Sequence, residues 1–135
     1  MTVMKTTAYA LLNLLLAATV FAGHHEKGEA PMLAAKPGQI VIVYHWPCAN
    51  ADKGLSLLKE MIAYERDASP YPYSAAPAIH ADGAVVSVDV HASAELMEKA
   101  VAWQGADATW QAQFAEMEAA CGSADDLSTN VLTMK

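Results

Sequence analysis

The segment QIVIVYHW, residues 39–46, leaves few options for the fold. Its β-branched and aromatic residues predict a strand, and Pro47 ends that strand because proline cannot donate to a sheet ladder. Alternate residues of a strand point to opposite faces, and here both faces are mainly apolar. We therefore predict a central strand that must be covered on both sides.

A helix follows this strand. Asn50 is a good N-cap for a helix that runs from Ala51 to about Arg66, before the Pro-rich loop at residues 67–74. The helix carries one apolar row with three further residues beside it: Leu55, Leu58 and Ile62, then Leu57, Met61 and Tyr64.

Residues 75–91 predict a hairpin, because Asp82-Gly83 is a strong signal for a two-residue type I′ turn. This turn would place His80 opposite Val85. One hairpin face would then be unusually polar, with Ala76, Ala78, His80, Val85, Ser87, Asp89 and His91. The other face would be the core face, with Pro77, Ile79, Val86, Val88 and Val90.

The last third of the chain predicts a helix in two pieces and a final strand. Ser93 caps the first piece, Gly105 interrupts it, and Asp107 caps the second. One face of the second piece carries Trp110, Phe114, Met117 and Cys121 at helical spacing. Gly122 is a natural residue to follow the helix, and residues 127–134 predict a strand.

The predicted order is therefore β-α-β-β-α-β, an α+β ferredoxin-like arrangement with an antiparallel sheet. Both helices would cover one face of this sheet. The other face would also be apolar along the central strand, so we expect a second copy of the chain to bury it in a homodimer.

Residues 84–118 resemble a known group of proteins. The strand AVVSVDVHAS leads into the helix AELMEKAVAWQ, and after a break the chain continues as DATWQAQFAEME. This pattern resembles the dimeric α/β-barrel superfamily, which includes antibiotic-biosynthesis-monooxygenase-like and NIPSNAP-like domains. The resemblance implies the fold and a dimeric barrel. It does not fix a reaction, because that group includes oxygenases, isomerases, haem proteins and domains without a known activity.

A second resemblance is weaker. Residues 76–90, APAIHADGAVVSVDV, are similar to the second half of a thioredoxin fold, with Pro77 at the position of its characteristic proline. Cys48 follows the first strand, where a thioredoxin has its redox site. The chain has no C-x-x-C motif, however, and residues 67–74 are too few for the additional strand and helix.

The N-terminus predicts export. Residues 1–22 form a secretory signal peptide, with Lys5, an apolar run to Phe21 and cleavage after Ala22. The alternative is an uncleaved membrane anchor, but the run is shorter than the ~20 residues of a spanning helix. Residues 23–38 predict a flexible arm and residues 39–135 the folded domain. We expect a periplasmic or secreted protein with no membrane span after cleavage.

Charge and cysteine content limit the function further. The chain has 15 acidic against 8 basic residues, for a net charge of −7, so nucleic-acid binding is not expected. Its two cysteines predict a Cys48–Cys121 disulfide in an oxidising compartment. In the predicted fold, the first strand and the second helix end at the same side of the domain. The alternative is a buried Cys121 thiol and a free Cys48 thiol in the loop.

Several polar side chains are candidate ligand-binding residues. Imidazoles beside a carboxylate can act as a general base, metal ligands or a haem ligand. Tyr71 and Tyr73 lie in the Pro-rich loop, where they could cover a pocket. The candidates on the polar hairpin face, with one from the first strand, are His80, Asp89, His91 and His45. His80 and His91 would lie about 20 Å apart and cannot share a metal. The simpler interpretation is that all these residues face water or pack in loops.

A mature N-terminus beginning Gly23-His24-His25 predicts a copper site. An α-amine, two amides and a histidine at the third position can bind Cu(II) in a square plane. Cleavage one residue away would destroy this arrangement, and a solvated tail is the alternative.

Three functions are compatible with these features of the sequence. The first is an exported domain that binds a small apolar or aromatic molecule, with no cofactor. The second is an oxygenase-like or isomerase-like enzyme on the same scaffold. The third is a periplasmic copper-binding protein that uses His24 and His25.

Overall fold

The computed structural model describes residues 35–135 of the chain. Four strands, three α-helices and one short 3₁₀ helix, Ala124–Asp126, follow one another along these residues. In chain order the main elements are β1 (Ile40–Trp46), α1 (Ala51–Ala68), β2 (Ser74–Ile79), β3 (Val85–His91), α2 (Ala94–Ala106), α3 (Ala108–Cys121) and β4 (Ser128–Thr133). The predicted ferredoxin-like order, with its second helix in two pieces, is confirmed. The predicted signal peptide and most of the predicted arm lie outside the described residues.

The four strands form one sheet in the order β2-β3-β1-β4, with every neighbouring pair antiparallel. β1 therefore occupies a central position, as its two apolar faces predict. β2 and β4 are the edges. This topology excludes the thioredoxin-like alternative, whose sheet would need parallel strands beside the first one.

Side-chain caps mark the helix starts at the predicted positions, Asn50, Ser93 and Asp107. The Asn50 side chain accepts a hydrogen bond from the backbone of Lys53 at 3.0 Å. Asp107 closes α2 and starts α3, because its carboxylate accepts from the Trp110 backbone N–H at 2.8 Å. Gly122 follows α3 with a φ of 115°, a conformation that favours glycine.

The turn of the hairpin differs from the prediction by one residue. His80 pairs with Ala84 through a backbone bond of 2.9 Å, so the loop holds three residues, 81–83. Only Gly83 has a positive φ in this loop, whereas a type I′ turn would need one at Asp82 as well. Ile79 therefore faces Val85, and a shift of one residue moves every β2 side chain to the other face.

The helices cover the polar face of the hairpin rather than its valine face, so the predicted core face was wrong. Ser87, Asp89 and His91 are all buried. They share this face with Ile42 and Trp46 of β1, whose register with β3 aligns the large apolar side chains with the polar row. We call this the helix-covered face. The opposite, helix-free face carries Val41 and Val43 of β1 and Val86, Val88 and Val90 of β3.

The first helix buries a different row from the one expected. Leu57 and Met61 are buried, and the next position on the same face is Glu65, which is only 8% exposed. The predicted row of Leu55, Leu58 and Ile62 is half-buried instead. The α3 row is as predicted, with Met117 and Cys121 buried and Trp110 and Phe114 packed against them.

Cys48 and Cys121 form a disulfide, which confirms the predicted pairing. Their Cα atoms lie 3.9 Å apart and are separated by 73 positions in the sequence. Gly54 of α1 packs directly on this bridge. A Cβ atom at position 54 would lie 2.8 Å from Cys121 Sγ and 2.9 Å from Cys48 Sγ, so the bridge requires glycine there.

No helix within residues 35–135 is both long enough and apolar enough to span a membrane.

Candidate functional site

A cavity of about 260 Å³ lies between the helix-covered face and the three α-helices. Strands β1 and β3 form its floor, and α1, α2 and α3 form its walls. Its lining residues are Tyr44, Trp46, Leu58, Met61, Glu65, Ser87, Asp89, Val101, Gln104, Trp110, Phe114, Met117 and Leu127. An apolar enclosure with a few convergent polar groups is the usual form of a small-molecule site.

Aromatic rings form one side of the cavity. Trp110 and Phe114 are stacked on α3, with ring centroids 5.0 Å apart, and Phe114 also lies 5.4 Å from the Trp46 ring. Met61 and Met117 complete this side with flexible side chains that adapt to the shape of a neighbour. This wall suits a flat or apolar molecule.

Glu65 places a carboxylate in the cavity, directly beside the aromatic wall. One of its oxygens accepts hydrogen bonds from Trp110 Nε1 at 2.6 Å and from Gln104 Nε2 at 3.1 Å. Burial raises the pKa of Glu65, and these hydrogen bonds oppose the rise. The carboxylate therefore holds α1, α2 and α3 together around the cavity.

Asp89 is the second buried carboxyl of the cavity. Ser87 Oγ donates to it at 2.5 Å, and its side chain is almost inaccessible to water. Burial raises the pKa of Asp89 to about 7, Ser87 opposes this rise, and the negative charge of Glu65 adds to it. The lining residues include no lysine or arginine, so no cation within the described cavity offsets the two carboxyls.

Two tyrosines surround these carboxyls. Burial, with the charges of Asp89 and Glu65, raises the pKa of Tyr44 to about 12. Burial and Glu65 also raise the pKa of Tyr73, whose hydroxyl accepts from Gln104 Nε2 at 2.8 Å. Both phenols therefore stay protonated at neutral pH and can donate a hydrogen bond.

Trp46, one of the residues that line the cavity, carries a buried donor without a partner in the described part of the chain. Trp46 is 5% exposed, and its indole Nε1 has no hydrogen-bond partner among the described residues. Such a buried donor costs free energy unless something binds it.

The structure divides the predicted site residues between the two faces of the sheet. Asp89 lines the cavity. His91 lies on the same face and stacks on Tyr73, with ring centroids 4.5 Å apart, and burial lowers its pKa. His45 and His80 meet on the helix-free face instead. The β1–β3 register pairs His45 with Val86 of that face, and the longer turn reverses the orientation of β2 and with it His80.

The other predicted residues lie apart from the cavity. Tyr71 is half-buried in the loop before β2, where its backbone N–H donates to Ser69 Oγ at 3.2 Å. His24 and His25 lie outside the described residues, so the copper site at the mature N-terminus stays a prediction.

Three cavity residues, Glu65, Tyr44 and Gln104, were not predicted from the sequence. For Glu65 a signal was present, since this acidic residue continues the Leu57–Met61 row at the next helical turn. An acidic residue on an apolar helical row is unusual unless it is paired or functional. Tyr44 and Gln104 carry no comparable signal, because only the packing of α2 and α3 brings them to the cavity.

Solved structures with the same fold include members of the superfamily that the sequence resembles. A protein from Caulobacter crescentus CB15 assigned to the antibiotic biosynthesis monooxygenases matches with a TM-score of 0.55 and 16% identity, over 73% of this chain and 92% of that one. The cofactor-independent oxygenase SnoaB from Streptomyces nogalater, in its N63A form, matches with a TM-score of 0.53 and 11% identity, over 73% and 94%. A NIPSNAP family protein from Agrobacterium tumefaciens str. C58 matches with a TM-score of 0.54 and 18% identity, over 70% of this chain and 90% of that one.

These likenesses establish the ferredoxin-like fold of this superfamily, and at such identities they establish the fold alone. No family model matches the chain, and no curated protein matches it. The function must therefore be argued from the cavity itself.

Proposed function

We propose that this protein is an exported domain that binds a small, mainly apolar or aromatic molecule in the cavity between sheet and helices. The observation that carries this proposal is the pairing of an aromatic wall with two buried carboxyls in one space. The aromatic wall would take the flat part of the ligand. A hydroxyl or amide N–H of the ligand would donate to Asp89 or Glu65.

A variant with a blocked cavity entrance tests whether the ligand binds in this cavity. Val101 lies at the rim and is 46% exposed, so Val101→Trp should fill the entrance with little disturbance of the core. We expect 2-naphthol to quench the fluorescence of the tryptophans that line the cavity, with a binding constant weakened at least about tenfold by Val101→Trp. The matched control is Ala102→Trp, on the exposed side of the same helix. Equal quenching in both variants would contradict binding in this cavity.

An enzyme on the same scaffold is the second candidate, and Asp89 favours it. A carboxyl with a pKa of about 7 can accept or give up a proton at neutral pH, as a general base or acid must. The Streptomyces nogalater neighbour is an oxygenase that works without a cofactor. An activity of that kind here would rely on Asp89 and the cavity. Turnover that is lost in Asp89→Asn, with binding retained, would support this candidate over simple binding.

We also propose that the protein is exported to the periplasm or secreted. The disulfide supports this location, because such bonds persist outside reducing compartments. The apolar run of residues 8–21 supports it independently.

We further propose that a second copy of the chain covers the helix-free face. The central part of this face is apolar, with Val41 and Val43 of β1 beside Val88 and Val90 of β3. On β4, Leu132 of the same face is 52% exposed. An apolar patch without charged side chains at its centre can pack against the same patch of a second copy, as a twofold contact requires.

Light scattering on the mature chain is expected to report twice the mass of one chain at micromolar concentration. Leu132→Lys should shift this mass toward the single chain, since it would place a charge in the contact. Thr129→Lys, at an exposed position on the opposite face of β4, is the matched control and should leave the mass unchanged. A single-chain mass for the unmodified protein would contradict the dimer.

A further inference from the structure

Three potential metal ligands converge at the hairpin end of the helix-free face. They are His45, the residue before the end of β1, His80, which directly follows β2, and Asp82 in the turn. One ligand atom from each lies within 4.8 Å of the other two. The two imidazole rings have centroids 5.0 Å apart although β3 lies between their strands, so both side chains lean across it.

The turn fixes the carboxylate of this cluster. Asp82 Oδ1 accepts a hydrogen bond from the Ala84 backbone N–H at 2.9 Å and lies 2.8 Å from His80 Nδ1. Asp82 Oδ2 lies 3.1 Å from His45 Nε2. The turn therefore holds both carboxylate oxygens against the two imidazoles.

We propose that His45, His80 and Asp82 form a binding site for one divalent transition-metal ion, zinc(II) or copper(II). Two imidazole nitrogens and one carboxylate oxygen are a ligand set that both ions accept. Calcium and magnesium prefer oxygen ligands only, so they fit the site poorly.

The observed separations suit such an ion. Zinc lies about 2.0–2.2 Å from nitrogen and oxygen ligands in a tetrahedron, which spaces the ligand atoms roughly 3–4 Å apart. The two imidazoles already lie 2.8 and 3.1 Å from the carboxylate oxygens. Small side-chain rotations would open a central position. Each imidazole would bind through the nitrogen that now faces Asp82, and its proton would have to reside on the other ring nitrogen. Three protein ligands leave further positions for water or an exogenous ligand.

This site is separate from the two other candidate sites. It lies on the face of the sheet opposite the cavity, so a negative result for metal binding would not affect the proposed binding of a small molecule in the cavity. It also uses none of the tail residues of the predicted copper site. The net charge of −7 favours the approach of a cation to either position.

The test uses the mature chain with His24→Ala and His25→Ala, which removes the tail histidines. Calorimetric titration with zinc is expected to show one ion bound per chain. With copper(II), electron paramagnetic resonance is expected to show coupling to two imidazole nitrogens. His45→Ala, His80→Ala and Asp82→Asn should each weaken zinc binding at least about tenfold. Asp125→Asn removes a different exposed carboxylate and should leave the affinity unchanged.

Three results would overturn the proposal. The first is no saturable binding of zinc or copper in the tail-substituted chain. The second is an unchanged affinity in both histidine variants, and the third is bound copper without imidazole coupling. Near-UV circular dichroism checks that each variant is folded. Should an alanine variant lose that signal, His45→Gln and His80→Gln provide side chains of similar size for the same measurement.

Discussion

Reduction of the Cys48–Cys121 disulfide is expected to lower the free energy of unfolding by about 4 kcal/mol. In the chain-entropy model, a bond that closes a loop over 73 positions restricts the unfolded chain by about this amount. Small domains have only ~5–15 kcal/mol of stability in total, so the loss would be a large share. Urea denaturation of the same protein, with and without reductant, measures it.

This comparison leaves both sulfur atoms in the chain. It therefore measures the contribution of the covalent bond to stability separately from that of side-chain packing. The double variant Cys48→Ala, Cys121→Ala should be at least as unstable as the reduced protein, because it also loses buried sulfur beside Gly54. Thiol titration of unfolded protein purified without reductant should detect no free thiol. Equal urea midpoints for the oxidised and reduced protein would show that the disulfide contributes nothing to stability.

Asp89→Asn is expected to stabilise the protein at alkaline pH and to have a much smaller effect under acidic conditions. The pKa of Asp89 is about 7 in the folded protein, against an ordinary value of 3.8. The folded state therefore binds the proton more tightly than the unfolded state does. The contribution of Asp89 to stability is present below pH ~4 and is lost as the pH rises to about 7. Asparagine keeps the shape and an acceptor for Ser87 without the charge.

The expected size of this effect follows from the two pKa values. Between pH 5 and pH 8, the stability of Asp89→Asn relative to the unmodified protein should rise by about 2–3 kcal/mol. Urea denaturation at both pH values measures this difference. The charge of Glu65 contributes to the raised pKa of Asp89, so the measured difference includes this interaction. Asp52→Asn, at an exposed position in the first turn of α1, is the matched control. A constant difference between pH 5 and pH 8 would contradict a buried, titrating Asp89.

Most of the fold follows from local signals in the sequence. The apolar faces of residues 39–46 predict the central position of β1, and Asn50, Ser93 and Asp107 mark where the helices begin. These predictions succeed because strand periodicity and helix capping depend on residues within one or two turns of the chain. The disulfide was also predictable, since the order of elements alone brings the ends of β1 and α3 together.

The face covered by the helices was not decided by local signals. Val86, Val88 and Val90 predict a core face by their composition, whereas the structure buries Ser87, Asp89 and His91 instead. Two features outweigh the apolar composition of the valine face in deciding which face the helices cover. The large side chains of β1 share the polar face, and the three-residue turn at Asp82 sets the register of β2. A local pattern cannot reveal either, because both depend on pairing between strands.

The sequence by itself determined the elements, their order, the disulfide partners and the acidic charge of this protein. Only the tertiary structure decided which polar residues meet. It brought Glu65 of α1 and Asp89 of β3 into one cavity and moved His45 and His80 to the opposite face. The physical reason is that helices, strands and turns are favoured by residues close together in the chain, through side-chain periodicity and capping. Contacts between distant side chains depend on strand register and helix packing, which the whole chain settles together.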